Sequence, residues 1–156
     1  MNILTKRGLS SLKYEEKAIG KWMQIYPGYD FIHTPKDRYS AVDGMLYKKR
    51  VLDAVVETRT RNITRQRLRD LDDTLIVTLE KIHKGKQLSQ LLCVPFVFLV
   101  YLIPEDRLFT FGMTNNHGEW AFDFVSRKTI TQRNINGGTA ERTNAFLPMT
   151  KAKEHK

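Results

Sequence analysis

Cysteine is almost absent: Cys93 is the single one in 156 residues. A lone thiol closes no internal disulfide, so packing must hold the chain together, as expected in a reducing, intracellular setting. With apolar neighbours on both sides, Cys93 reads as plain core. His33, His83, His117 and His155 have no ligand spacing relative to it, which argues against a zinc site. There is no glycine-rich phosphate loop, no Gly-x-Ser-x-Gly elbow and no internal repeat. The one long apolar run, Val94 to Ile103, is too short to span a bilayer and contains Pro95. Met1 to Leu12 lacks the apolar centre of a secretory signal. No membrane partner is expected, and a cytoplasmic location is.

Acidic charge is also scarce. Seventeen Asp and Glu stand against 26 Lys and Arg, a net charge of +9, which favours a polyanionic partner. Hydrophobic residues make up 41% of the chain, enough for one domain with a real core, placed at residues 1–150. Residues 151–156, with Lys151, Lys153 and Lys156, read as a basic, unstructured tail.

The scarce acids occupy informative places. From Tyr39 to Arg61 the chain reads as two adjacent strands, each with one carboxylate among apolar neighbours. Period two puts Val51, Asp53, Val55, Glu57 and Arg59 on one face and Leu52, Ala54, Val56 and Thr58 on the other. Both faces are largely apolar, as in a strand covered on both sides. In the earlier run Asp43 keeps phase with Ala41, Met45 and Tyr47, and Gly44 permits close approach to the backbone. Lys48, Lys49 and Arg50 fit the exposed tip of a hairpin that brings Asp43 and Glu57 to the same end of the sheet. Burying acids among apolar residues is costly without a compensating cation. Two of them followed at once by arginines suggest a divalent metal beside a phosphate.

Upstream, Leu12, Ile19, Trp22 and Met23 form an apolar stripe at helical spacing, bordered by Glu15 and Glu16. Downstream, TLIVTLEKIHKGKQLSQLL contains a helix with Lys81 near its start. VPFVFLVYL reads as a buried central strand and RLFTFGM as its partner at the sheet edge, joined by a turn at Pro104-Glu105-Asp106. WAFDFVSRKTIT reads as a further strand or hairpin arm, with a break at Asn136-Gly137-Gly138. Arg61, Arg65, Arg67 and Arg69 crowd the exit of the Glu57 strand, where with Arg59 they could contact successive phosphates. Arg133, Arg142 and Asn144 are weaker candidates for the same role.

This order of elements resembles the PD-(D/E)XK nuclease superfamily, in particular its small phage-encoded, Holliday-junction-resolvase-like members. The matching parts are KYEEKAIGKWM, AVDG, VVETRTR, the lysine-bearing helix and VPFVFLVYL, over roughly residues 12 to 113. Val42 stands where the family often has proline, and Arg59 where its catalytic lysine usually sits.

The resemblance implies an α/β, restriction-endonuclease-like core: a mixed sheet with the first helix on one face and the central helix on the other. It implies a Mg²⁺- or Mn²⁺-dependent DNA endonuclease, with Asp43, Glu57 and the Thr58 carbonyl as metal ligands. Glu16 would assist, with Glu15 as the fallback. Arginine is a poor base, so Arg59 would hold phosphate and Lys81 would supply the missing lysine function. Lys84 and Lys86 would meet phosphate or solvent. The resemblance admits a homodimer and a phage source, which would place the chain in the host cytoplasm. Two rivals compete with this reading. One is a degenerate nuclease fold that binds nucleic acid without cutting, favoured by Arg59. The other is a basic scaffold for an acidic protein.

Overall fold

The run from Val51 to Arg59 that reads as a strand lies within one long strand, β3 (Val51–Arg61), in the computed structural model, which describes residues 6–130, 138–139 and 141–156. Ahead of it come α1 (Lys6–Ile25), β1 (Tyr29–His33) and β2 (Gly44–Lys48). After it come α2 (Arg65–Asp70), β4 (Thr74–Thr78), α3 (Leu79–Leu92), β5 (Phe96–Leu102), β6 (Arg107–Gly112), β7 (Val125–Ile130), β8 (Glu141–Pro148) and β9 (Lys153–His155).

The main sheet has the order β1-β2-β3-β5-β6-β9. Its first three strands form an antiparallel meander. The crossover through α2, β4 and α3 then sets β5 parallel to β3, and β6 and β9 follow antiparallel. This is the mixed sheet flanked by helices that the sequence predicts. On one face, Ala18 and Ile19 of α1 pack on Leu46, Ala54, Val56, Leu99 and Tyr101. On the other, Ile82 of α3 packs with Val55, Phe96, Phe98, Val100 and Phe111.

A second sheet, β4-β8-β7, was not foreseen. The stretch read around Lys81 divides at Thr78: TLIVT becomes β4, and the helix starts only at Leu79. Leu75, Val77, Ala145 and Leu147 turn the inner face of this sheet onto the α3 side of the core. WAFDFVSRKTIT yields β7, which pairs with β8. Asn136 and Gly137 lie outside the described residues.

Three expectations are corrected. The tail is ordered, and β6 is not the sheet edge, because Lys153–His155 pairs with Leu108–Thr110 as β9. Arg107 donates to both Glu154 carboxylate oxygens at 2.8 and 2.9 Å, and buried His155 shares hydrogen bonds with Tyr26 Oη and Thr110 Oγ1. Burial, and secondarily Lys153, lower the His155 pKa. Cys93 is exposed rather than core. It closes α3 in a left-handed conformation (φ 54°), so the apolar run that made it look buried begins only past the helix end.

One irregularity in β2–β3 positions the site. At the hairpin tip, with Lys49 and Arg50 at positive φ, Tyr47 pairs with Leu52; one step on, Leu46 pairs with Ala54. Asp53 is thus the extra residue of a β-bulge. The shifted register continues through Gly44↔Val56 and so sets Asp43 across from Glu57. Without the bulge Asp43 would oppose Val56 and face the other side of the sheet.

Candidate metal and phosphodiester site

Where β2 begins, the chain uses a side chain to continue its pairing with β3. The Asp43 amide donates to the Val56 carbonyl (3.0 Å), and Asp43 Oδ2 accepts from the Thr58 amide (2.8 Å). The other oxygen, Oδ1, accepts from Lys36 Nζ at 2.9 Å, and that ammonium also lies 3.8 Å from Glu15 Oε2. Thr34 pins the intervening loop, its amide donating to the Asp43 carbonyl and its hydroxyl to the Val42 carbonyl.

Glu57 is in a different state. It is 1% exposed, and neither of its carboxylate oxygens has a hydrogen-bond partner. Arg59 Nη2 lies 2.8 Å from Glu57 Oε1 and Lys81 Nζ 4.0 Å from it. These are ion-pair distances, but the Arg59 N–H groups are not aligned to donate. The Thr58 hydroxyl beside it is also buried without a partner. Burial, opposed by Arg59 and Lys81 and reinforced by Asp43 and Glu15, pushes the Glu57 pKa up to about 7. Burial and then Asp43 raise Glu15 as well.

Glu15, Asp43, Lys36, Arg38, Arg59 and Lys81 thus line a cleft of about 260 Å³, with the buried Glu57 carboxylate against Arg59 and Lys81. The first turns of α1 and the loop from Thr34 to Asp43 form its walls, with Tyr39 at the rim. A larger hollow of about 310 Å³ lies by the other end of α1, lined by Trp22, Tyr26, Tyr29, Phe31 and Val97. It holds none of these charged groups.

The structure brings Asp43, Glu57, Thr58, Arg59 and Lys81 together. Glu16 does not join them: it is exposed and does not line the cleft, whereas Glu15 does. One residue along a helix turns a side chain by about 100°, and the apolar stripe alone did not decide between the two. Two arginines of the run, Arg61 and Arg65, serve the fold. Arg61 donates to the carbonyls of Thr60 and Ile76, and burial, with Arg59, lowers its pKa to about 10. Arg65 is held by Asp73. Arg67 and Arg69 are exposed on α2.

Lys84 pairs with Glu80 at 2.6 Å and lies 4.7 Å from the Tyr39 ring centroid, whereas Lys86 rests over Trp120. Arg142 is exposed, Asn144 is buried against Thr129, and Arg133 lies outside the described residues. Lys36 was missed because it sits in an aperiodic loop, where neither helical nor strand spacing marks a residue's direction.

Among the described residues no group of three or more Asp, Glu, His or Cys side chains is gathered as a metal cage. Mg²⁺ needs less: it keeps several waters and takes one or two carboxylates together with substrate phosphate. The hydrogen-bond-free Glu57 carboxylate and the hard-oxygen chemistry of Asp43 fit such an ion. No family model, curated protein or solved structure matches the chain.

Proposed function

We propose that this protein is a divalent-metal-dependent nuclease that hydrolyses DNA phosphodiester bonds. The observation that carries the reading is the buried, hydrogen-bond-free Glu57 carboxylate set across from Asp43 and against Arg59 and Lys81, all three of which line the cleft. A buried carboxylate left this way costs several kcal/mol unless a cation compensates it. The order of elements expected of the PD-(D/E)XK core also supports the reading: helix, meander carrying both acids, lysine-bearing helix and apolar parallel strand.

Asp43 and Glu57 would hold Mg²⁺ or Mn²⁺, with the Thr58 carbonyl as a further oxygen. When bound, the ion would ease deprotonation of a water and offset charge on the phosphate oxygens. As an arginine, Arg59 suits bidentate phosphate binding rather than proton transfer. Lys81, half exposed at the cleft, is placed to orient the attacking water. Glu15 takes the helix-borne role in place of Glu16.

One observation favours a second reading, a nucleic-acid-binding protein that does not cut. Lys36 and Arg59 already stand against Asp43 and Glu57, so the site is charge-balanced without a metal. Incubating end-labelled duplex, single-stranded and four-way-junction DNA with Mg²⁺ or Mn²⁺ at low salt decides between them. Cutting that is lost in Asp43→Ala and in EDTA is expected. DNA retained but uncut on every substrate would overturn the nuclease in favour of the second reading.

A further inference from the structure

The second sheet does not end where the core ends. Thr78, the last residue of β4, pairs with Asn144, and α3 starts at the next residue. β8 runs on past that point with β7 alone, through Lys128↔Thr143, Thr129↔Arg142 and Ile130↔Glu141. This two-stranded arm is about 10 Å long at the ordinary strand rise. Apart from half-covered Thr129, every residue on it is exposed.

A ribbon with both sides in water is marginal by itself, and Ile130, at 77% exposure, gains nothing from standing in solvent. Among the described residues of the arm the charged ones are Lys128, Arg142 and a single acid, Glu141. Arg127, at its base, lies 4.1 Å from the Phe146 ring centroid on the outer face. The position is equally specific. The arm leaves the body at the N-terminus of α3, whose first turn carries Lys81 into the cleft. Glu80 in that turn is held below the usual carboxylate range chiefly by Lys84, and also by Lys81 and Arg142.

We propose that the β7–β8 arm is a duplex-DNA-binding element, a basic two-stranded ribbon that seats in a groove beside the cleft. The B-DNA major groove admits a ribbon of this width. Cations on both faces, Arg142 on the outer and Lys128 on the inner, would then meet the phosphates on either side. The assignment rests on the nuclease reading for its substrate, and it names that substrate as double-stranded next to the cleft.

The test is fluorescence anisotropy with a labelled 24-base-pair duplex and the matching single strand, in EDTA, across a salt series. Lys128→Gln/Arg142→Gln changes only exposed side chains, and its thermal midpoint should match wild type. Each lost phosphate contact removes about 0.9 from the slope of log affinity against log salt. The double variant should therefore lose about 1.8 from the duplex slope, and about tenfold or more in affinity at 0.1 M salt, with a smaller loss on the single strand. Unchanged duplex binding, or an equal loss on both forms, would overturn the arm. Cutting by wild type with Mn²⁺, measured alongside, keeps the two proposals apart: cutting with no effect of the variant sinks the arm alone. No binding and no cutting sinks both.

Discussion

Replacing Glu57 with glutamine should stabilise this protein above neutral pH, although it removes a charge from the centre of the proposed site. The carboxylate is 1% exposed and accepts no hydrogen bond, and burial raises its pKa from an ordinary 4.5 to about 7. The folded protein therefore holds this proton to higher pH than the unfolded chain does. Stability falls as pH rises from about 4.5 to about 7 and stays low above that window. The full cost is roughly 3 kcal/mol. Glutamine keeps the size and still offers Arg59 an oxygen. Urea unfolding of wild type and Glu57→Gln at pH 5 and pH 8 reads the difference. The two proteins should be close at pH 5, and the variant more stable by roughly 2–3 kcal/mol at pH 8. Equal pH dependence, or a less stable variant at pH 8, would refute the reasoning and mean that Arg59 and Lys81 already satisfy the carboxylate.

Other outcomes follow from the same structure. Glu15→Gln should lower metal-dependent cutting about tenfold or more while Glu16→Gln leaves it unchanged, since only Glu15 lines the cleft; single-turnover rates at saturating Mn²⁺ separate them. A Cβ at Gly85 would lie 2.4 Å from the Phe96 ring, so Gly85→Ala should cost about 1–3 kcal/mol by pushing α3 off the sheet, and with it Lys81, which both thermal melting and cutting rates would register. Thr114 Oγ1 accepts from the Phe96 amide at 2.9 Å and is bonded to Ser89. Thr114→Val should cost about 1–3 kcal/mol in urea unfolding by leaving a buried amide unpaired.

How legible was this in the sequence? The strand carrying Glu57 was plain because period two ran from Val51 to Arg59 and both faces were largely apolar. The bulge was not, since Asp53 looks like an ordinary alternating residue until its partner strand is in place. The second sheet hid in TLIVT, which is too short to separate from the helix that follows it. Glu15 stood only as the fallback to Glu16, because packing decides the rotation of their helix, and Lys36 escaped because it lies in a loop with no period at all. Electrostatic sums also mislead along the chain. Arg61 and Arg65 lie within a basic run, yet a carbonyl pair and Asp73 hold them in place.

Mn²⁺ binding measured by electron paramagnetic resonance, in the absence of DNA, tests the central claim most directly, because it asks whether Asp43 and Glu57 hold a metal or are merely neutralised by Lys36 and Arg59. The account predicts saturable Mn²⁺ binding by wild type at pH 8 and its loss in both Asp43→Ala and Glu57→Gln. Wild type that binds no Mn²⁺, or variants that bind it equally well, would contradict it.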